Sequence, residues 1–207
     1  MMTGSRHPWS SLRSQIGRPA ERRRSYAMLL RVSEIPEGHW GPGVSRSWRV
    51  GSSRVLHDEA LRAYEAGVFA VLRTYRRSNN SELTIELIPY ASLDDARSMV
   101  PKLWSQRESY PESKLRVVDE RIIEGEAIPD VENVFLVEQV TTGVAKTVRV
   151  AIARVENVVL SVGFWDSQGD WTWSEIKEVA SLQGKKIREV LGANPLRGGR
   201  LGVRRAV

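Results

Sequence analysis

The sequence predicts an α+β domain: an antiparallel β-sheet with two longer helices packed on it. Three observations carry this. Leu83, Ile85 and Leu87 alternate with Glu82, Thr84 and Glu86, the period-two pattern of an antiparallel strand with one wet face. Val148, Val150 and Ile152, and then Val158, Leu160, Val162 and Phe164, alternate likewise on either side of Glu156-Asn157, a tight hairpin turn. Trp173, Ile176, Ala180, Ile187 and Leu191 form an apolar stripe at helical spacing, widened by Val179, Leu182 and Val190.

The elements follow in order. Residues 1–27 are rich in Arg, Ser and Pro and lack periodicity, so they are expected to be a disordered basic tail. Met28 to Ile35 suits a short helical turn stopped by Pro36, and Glu37 to Gly43 is loop chemistry. A first strand is expected over 45–51, with Trp48 and Val50 on one face, and a short helix from His57 to Ala66, ended by Gly67. Strands over 68–77 and 82–90 flank the polar turn Ser78 to Ser81. Ser92-Leu93-Asp94-Asp95 starts a helix reaching about Gln106, which must kink or restart at Pro101. Four strands follow, over about 114–124, 132–141, 145–155 and 157–164. Thr172 and Glu175 make a capping box for the last helix, closed by Gly192 and Pro195. The longer helices are expected together on one sheet face. One domain over 28–192 then lies between two basic tails, the second over 193–207.

Charge is distributed unevenly. The net +6 divides into +6 over residues 1–31, −4 over 32–191 and +4 over 192–207. The expected folded body is thus mildly acidic, whereas folded nucleic-acid binders carry basic charge on the domain. Basic arms remain able to touch nucleic acid or anionic membrane without specificity. The chain has no cysteine, which excludes disulfides, thiolate metal sites and cysteine nucleophiles.

No stretch approaches the ~20 apolar residues of a membrane span. Ala27-Met28-Leu29-Leu30 is too short for the apolar core of a secretion signal before Arg31 interrupts it. The sequence as given therefore predicts a cytoplasmic protein, or an extracytoplasmic one if its start site is misassigned.

The sequence carries no catalytic pattern. No Gly-x-Ser-x-Gly occurs and there are three histidines: His7 in the tail, His39 in a Gly/Pro loop, and His57. His57-Asp58-Glu59 is the densest group of metal-capable side chains, but consecutive helical residues point apart, so it reads as a solvated helix start. Gly41-Pro42-Gly43 lacks the lysine of a phosphate loop. Asp94-Asp95 favours a helix dipole, and Asp119-Glu120 and Glu124-Gly125-Glu126 read as strand ends. Arg22-Arg23-Arg24-Ser25 has the form of a basophilic kinase target. No catalytic residue, metal or cofactor is predicted.

The seven tryptophans are the least ordinary feature. Trp165, Trp171 and Trp173 bracket the loop before the last helix, and Trp40 and Trp48 lie near the first strand. They either pin loops and helices onto the sheet or line a pocket for an apolar or carbohydrate-like ligand.

Leu29-Leu30-Arg31-Val32-Ser33-Glu34-Ile35-Pro36-Glu37-Gly38-His39-Trp40 resembles the opening of extracytoplasmic sensor-like domains and lipoproteins of high-GC Gram-positive bacteria. Leu83 to Ala96 and Ala151 to Leu160, followed by Trp171-Thr172-Trp173, fit the same group. The resemblance covers about residues 28–192 and points to the Mog1/PsbP-like α/β/α group. It implies a non-enzymatic sensor or ligand-binding role at the actinobacterial envelope and carries over no catalytic residue. Those relatives bear a lipobox or a membrane span, which this sequence lacks. The resulting expectation is a sensor-like domain taking an apolar small molecule or a protein partner, with Trp40, Trp48, Trp165, Trp171 and Trp173 as candidate binding residues. The alternative is an interaction module that uses its basic arms on nucleic acid or anionic membrane.

Overall fold

The computed structural model describes residues 19–36, 40–49, 69–77, 81–105, 117–124, 126–141, 146–166 and 171–193. Seven strands form one antiparallel sheet: β1 (Gly41–Arg49), β2 (Phe69–Arg76), β3 (Glu82–Pro89), β4 (Val117–Glu124), β5 (Glu132–Thr141), β6 (Lys146–Val155) and β7 (Val158–Asp166). Their spatial order is β1-β2-β3-β7-β6-β5-β4. Two meanders, β1 to β3 and β4 to β7, thus meet along the β3–β7 seam, from Glu82↔Trp165 to Pro89↔Val158. The helices are α1 (Pro19–Met28), α2 (Leu93–Ser105) and α3 (Trp173–Ala193), with a 3-10 turn at Val32–Glu34. The chain is α+β, as its sequence predicts. The expected helix over 57–66 and the His57-Asp58-Glu59 group lie outside the described residues, as do residues 1–18 and 194–207.

The helices do not share one face of the sheet. Leu83, Ile85, Leu87, Leu160, Val162 and Phe164 pack with Ile176, Val179, Ala180 and Ile187 of α3 and with Met28 of α1. Ala70, Val148, Val150, Ile152 and Val159 pack with Ala96, Met99 and Val100 of α2 on the other side. The reason lies in the β6–β7 register. Val150 pairs with Gly163 and Ile152 with Ser161, so the apolar sets of the two strands fall on opposite faces. Ala151, Ala153 and Val155 are buried beneath α3. Both faces of these central strands are therefore apolar, and each needs a helix over it.

Residues 19–27, expected to belong to a disordered tail, form most of α1. Composition alone hides the helix because, over its described side chains at 22–28, only Ser25 and Met28 are buried. Arg22 Nε donates to Ser47 Oγ (2.9 Å) and holds the helix toward β1.

Gly41-Pro42-Gly43, expected as loop, opens β1. This is an edge strand, where proline is tolerated, and the register shifts between Pro42 and Ser45. A Cβ at Gly43 would stand 2.4 Å from Thr74 Oγ1 and 2.5 Å from Thr74 O, so the bulge requires glycine. Helix α2 runs through Pro101 without stopping, and that proline is exposed. Both expected helix starts are present. Asp95 N donates to Ser92 Oγ (3.0 Å). Glu175 N donates to Thr172 Oγ1 (3.3 Å), and Thr172 N donates back to Glu175 Oε2 (2.7 Å).

Candidate functional site

The described tryptophans separate onto two faces of the sheet. On the α3 face, Trp40 and Trp171 are buried and stacked, with centroids 5.3 Å apart and planes inclined by 20°. Phe164 lies 4.3 Å from the Trp171 ring. The Arg77 guanidinium carbon sits 4.4 Å from the Trp40 centroid and 4.1 Å from that of Trp171. The cavity beside this layer measures about 10 Å³, space for no more than one water. Trp173 is half-buried against the same core, with the Arg149 guanidinium 5.9 Å from its ring. Arg149 is itself held by Glu138 and by the Trp171 carbonyl. These three tryptophans pin the start of α3 and the approach to β1 onto the sheet, and the cavity that Trp40 and Trp171 line among the described residues is too small for a ligand.

Trp165 is on the opposite face. It packs beside the α2 core and borders a groove of about 490 Å³ over β1, β2, β3 and β7. The backbone of Trp48 pairs with Ala70; its side chain lies outside the described residues. The five candidate residues therefore do not form one site.

Strand pairing explains the groove's shape. Cross-strand partners line up in three rows. The first is Arg76, Glu82 and Trp165. The second is Thr74, Thr84 and Gly163. The third is Arg46, Leu72, Glu86 and Ser161. All eleven lining residues are these ten and Val44, which lies in the β1 bulge opposite Thr74. The middle row is the smallest in volume, so the surface sinks between two taller rows. The result is a trough that crosses the strands. Strands are about 4.8 Å apart, so a trough over four of them is roughly 14 Å long. Successive rows are about 7 Å apart along each strand.

The chemistry of the trough is mixed. Thr84 and Ser161 contribute hydroxyls to the rows, whereas the Thr74 hydroxyl is held by the bulge, accepting from Val44 N (2.8 Å). Arg76 Nε donates to Glu82 Oε2 (3.2 Å) within the first row. The charged lining residues are Arg46, Arg76, Glu82 and Glu86, two of each sign. An ideal Cβ on Gly163 would lie 3.8 Å from Trp165 Nε1, so the indole nitrogen leans over the floor at that glycine. Among the described residues, no group of three His, Cys, Asp or Glu side chains could hold a metal ion.

Sequence periodicity already turned Glu82, Thr84 and Glu86 toward solvent. Their rows with Gly163 and Trp165 arise from the register of strands some eighty residues apart in the chain. The missed signal was Gly163, a glycine inside a strand, which marks a place where something else approaches the sheet.

No family model matches the chain. No curated protein matches it either. Among solved structures, the fold is similar to the extracellular domain of PknH from Mycobacterium tuberculosis, with a TM-score of 0.55 and 15% sequence identity. The alignment covers 81% of this chain and 96% of that domain. At this identity the likeness is one of fold. No helix among the described residues is long and apolar enough to cross a membrane.

Proposed function

We propose that this chain is a non-enzymatic, sensor-like domain that binds a small ligand in the trough beside Trp165 and acts outside the cytoplasm. The observation that carries the proposal is the 490 Å³ groove on the sheet face that α2 leaves uncovered over β1, β2, β3 and β7. Ligand sites are concave, a few hundred Å³ in volume, and combine aromatic with well-placed polar groups. The similarity to an extracellular domain supports the location, and helices on both sheet faces agree with the α/β/α layering of a Mog1/PsbP-like reading.

The experiment is a thermal-shift screen of metabolites and envelope components, followed by ¹H–¹⁵N NMR of the compounds that stabilise the protein. A trough ligand moves the Trp165 indole resonance and loses its effect in Trp165→Ala. Shifts confined to the Trp40 and Trp171 indoles would overturn the assignment. Mass spectrometry of the N-terminal peptide from separated membrane and cytoplasmic fractions tests the location. An unprocessed terminus found in the cytoplasm alone contradicts it.

One observation favours a second contact. Helix α1 is docked on the body, with Arg22 and Arg23 exposed. This places basic charge on the folded domain, where it suits an anionic surface. Binding of anionic vesicles that weakens with salt, and is lost in Arg22→Gln/Arg23→Gln, is the expected result. Deleting residues 1–27 is unsuitable because it removes most of α1.

A further inference from the structure

We infer that the trough takes a neutral saccharide, an inference that rests on the trough being the ligand site. Four properties point to this class, and the first is charge. The two arginines and two glutamates of the lining balance, and Arg76 and Glu82 already pair with each other. An anionic or cationic ligand would gain no net attraction there.

The second is polarity. A purely apolar ligand would cover the Thr84 hydroxyl and polar side chains with hydrogen-bonding capacity beyond their protein contacts, and would replace none of the hydrogen bonds of the water it displaced, which costs free energy. A polyol replaces them, because each hydroxyl both donates and accepts.

The third is the backbone. The trough crosses β2, β3 and β7 in the interior of the sheet, where both neighbours of each strand are already paired. An extended peptide binds a sheet by adding a strand at an edge; the trough reaches an edge only at β1, and a peptide added there would run along β1 and not along the trough, which crosses the strands. Recognition must come from side chains standing on the sheet.

The fourth is the indole. Trp165 leans over Gly163, whose missing side chain leaves the floor low beside the ring. A sugar ring has an apolar face of C–H groups and a rim of hydroxyls. It can lie against the indole while Thr84 and Glu86 reach its rim, which is the use of a flat aromatic with a polar handle. The length of the floor suits a short oligosaccharide.

The test uses the whole chain and three neutral trisaccharides: maltotriose, cellotriose and chitotriose. Each is titrated and followed at the Trp165 indole and the Thr84 and Gly163 amides by NMR. Decanoate and a sulfated disaccharide serve as apolar and anionic probes. Expected is saturable movement of these three resonances with at least one neutral sugar. Gly163→Val should abolish that movement, and Gly163→Ala, which adds only the Cβ, should weaken it with no fall in melting temperature. A Cβ at this position meets only ordinary contacts, the nearest being Val150 Cγ2 at 3.7 Å, and valine favours strands. Thr84→Val, which keeps the shape and removes the hydroxyl, should weaken the same sugar at least tenfold.

If all three sugars leave the resonances unmoved, the saccharide inference is overturned. Movement with decanoate or the sulfated probe in that case keeps the trough as a ligand site and reassigns its chemistry. A sugar that binds Gly163→Val as well as the parent lies elsewhere, which overturns both the inference and the trough.

Discussion

The side-chain amide of Gln183 pairs with the backbone on both sides of Leu29. Its Oε1 accepts from Leu30 N at 3.1 Å, and its Nε2 donates to Met28 O at 2.6 Å. Gln183 is fully buried, so its amide satisfies the main chain at the end of α1 inside the core. The Leu30 carbonyl is taken by Tyr75 Oη (2.5 Å) and Arg73 Nη1 (2.8 Å). Burial pushes the Tyr75 hydroxyl up to about 12, so it remains a donor through the neutral range. Through these bonds the link between α1 and the sheet is fastened from α3 on one side and β2 on the other.

Replacing Gln183 with leucine should therefore be costly although leucine is a good core residue. The Leu30 N–H and the Met28 carbonyl would be buried without partners, at about 1–3 kcal/mol each. Urea unfolding is expected to show a loss of about 2–4 kcal/mol. A loss below 1 kcal/mol would mean that water reaches this segment.

Gly184, the next residue, should tolerate no side chain. A Cβ there would stand 2.5 Å from Asp130 O and 2.6 Å from Val131 Cγ1. Alanine is the better helix former by about 1 kcal/mol, yet crowding at a packed contact costs about 1–3 kcal/mol. Because backbone is struck, we expect the clash to win. Gly184→Ala should melt at a lower temperature and shift the amides of 129–132. An unchanged melting temperature would show that this loop moves aside without cost.

The pH dependence of stability has an identifiable contributor in Glu34. Burial works to raise its pKa. The hydrogen bond from Lys186, the bond from Arg31 N (2.6 Å) and the charges of Lys186 and Arg31 outweigh that and hold it below its ordinary 4.5. A depressed carboxylate pKa gives stability that is present above the unfolded-state value and is lost as pH falls through the folded-state value. Stability should therefore drop as pH falls below about 4.5 and on through the lower folded-state value. Glu34→Gln should be less stable at neutral pH and show a shallower slope across that window. An identical slope in the variant would assign the acid sensitivity to other groups.

The tryptophans should separate stability from binding. Trp171→Ala removes the partner of both Trp40 and Phe164 and is expected to cost about 3–5 kcal/mol, as large aromatic truncations in cores do. Trp165→Ala, from a half-buried position, should cost less and abolish the effect of any trough ligand. Equal losses of stability would mean that both residues are core.

The sequence predicted most strands within a few residues because each carries its own alternation, and it placed the helix starts because Ser92, Thr172 and Glu175 signal locally. It did not predict α1, whose polar sequence is held by contacts made across the fold. Gln183 sits on the apolar stripe of α3, three residues after Ala180 and four before Ile187. A polar side chain on such a stripe is a legible anomaly, but its backbone partners some 150 residues away are not.

Local pattern thus determined the class of this protein, its strands, most of its helices and the outward direction of Glu82, Thr84 and Glu86. Tertiary structure alone decided which strands beyond the predicted hairpins are neighbours, which face each helix covers and which tryptophans meet. A strand's period fixes that two faces exist, whereas the β6–β7 and β3–β7 registers fix what each face holds. Trp165 was sent to the trough by its pairing with Glu82, far away in the chain, and Trp171, just before α3, reached the core by packing on Trp40 and Phe164.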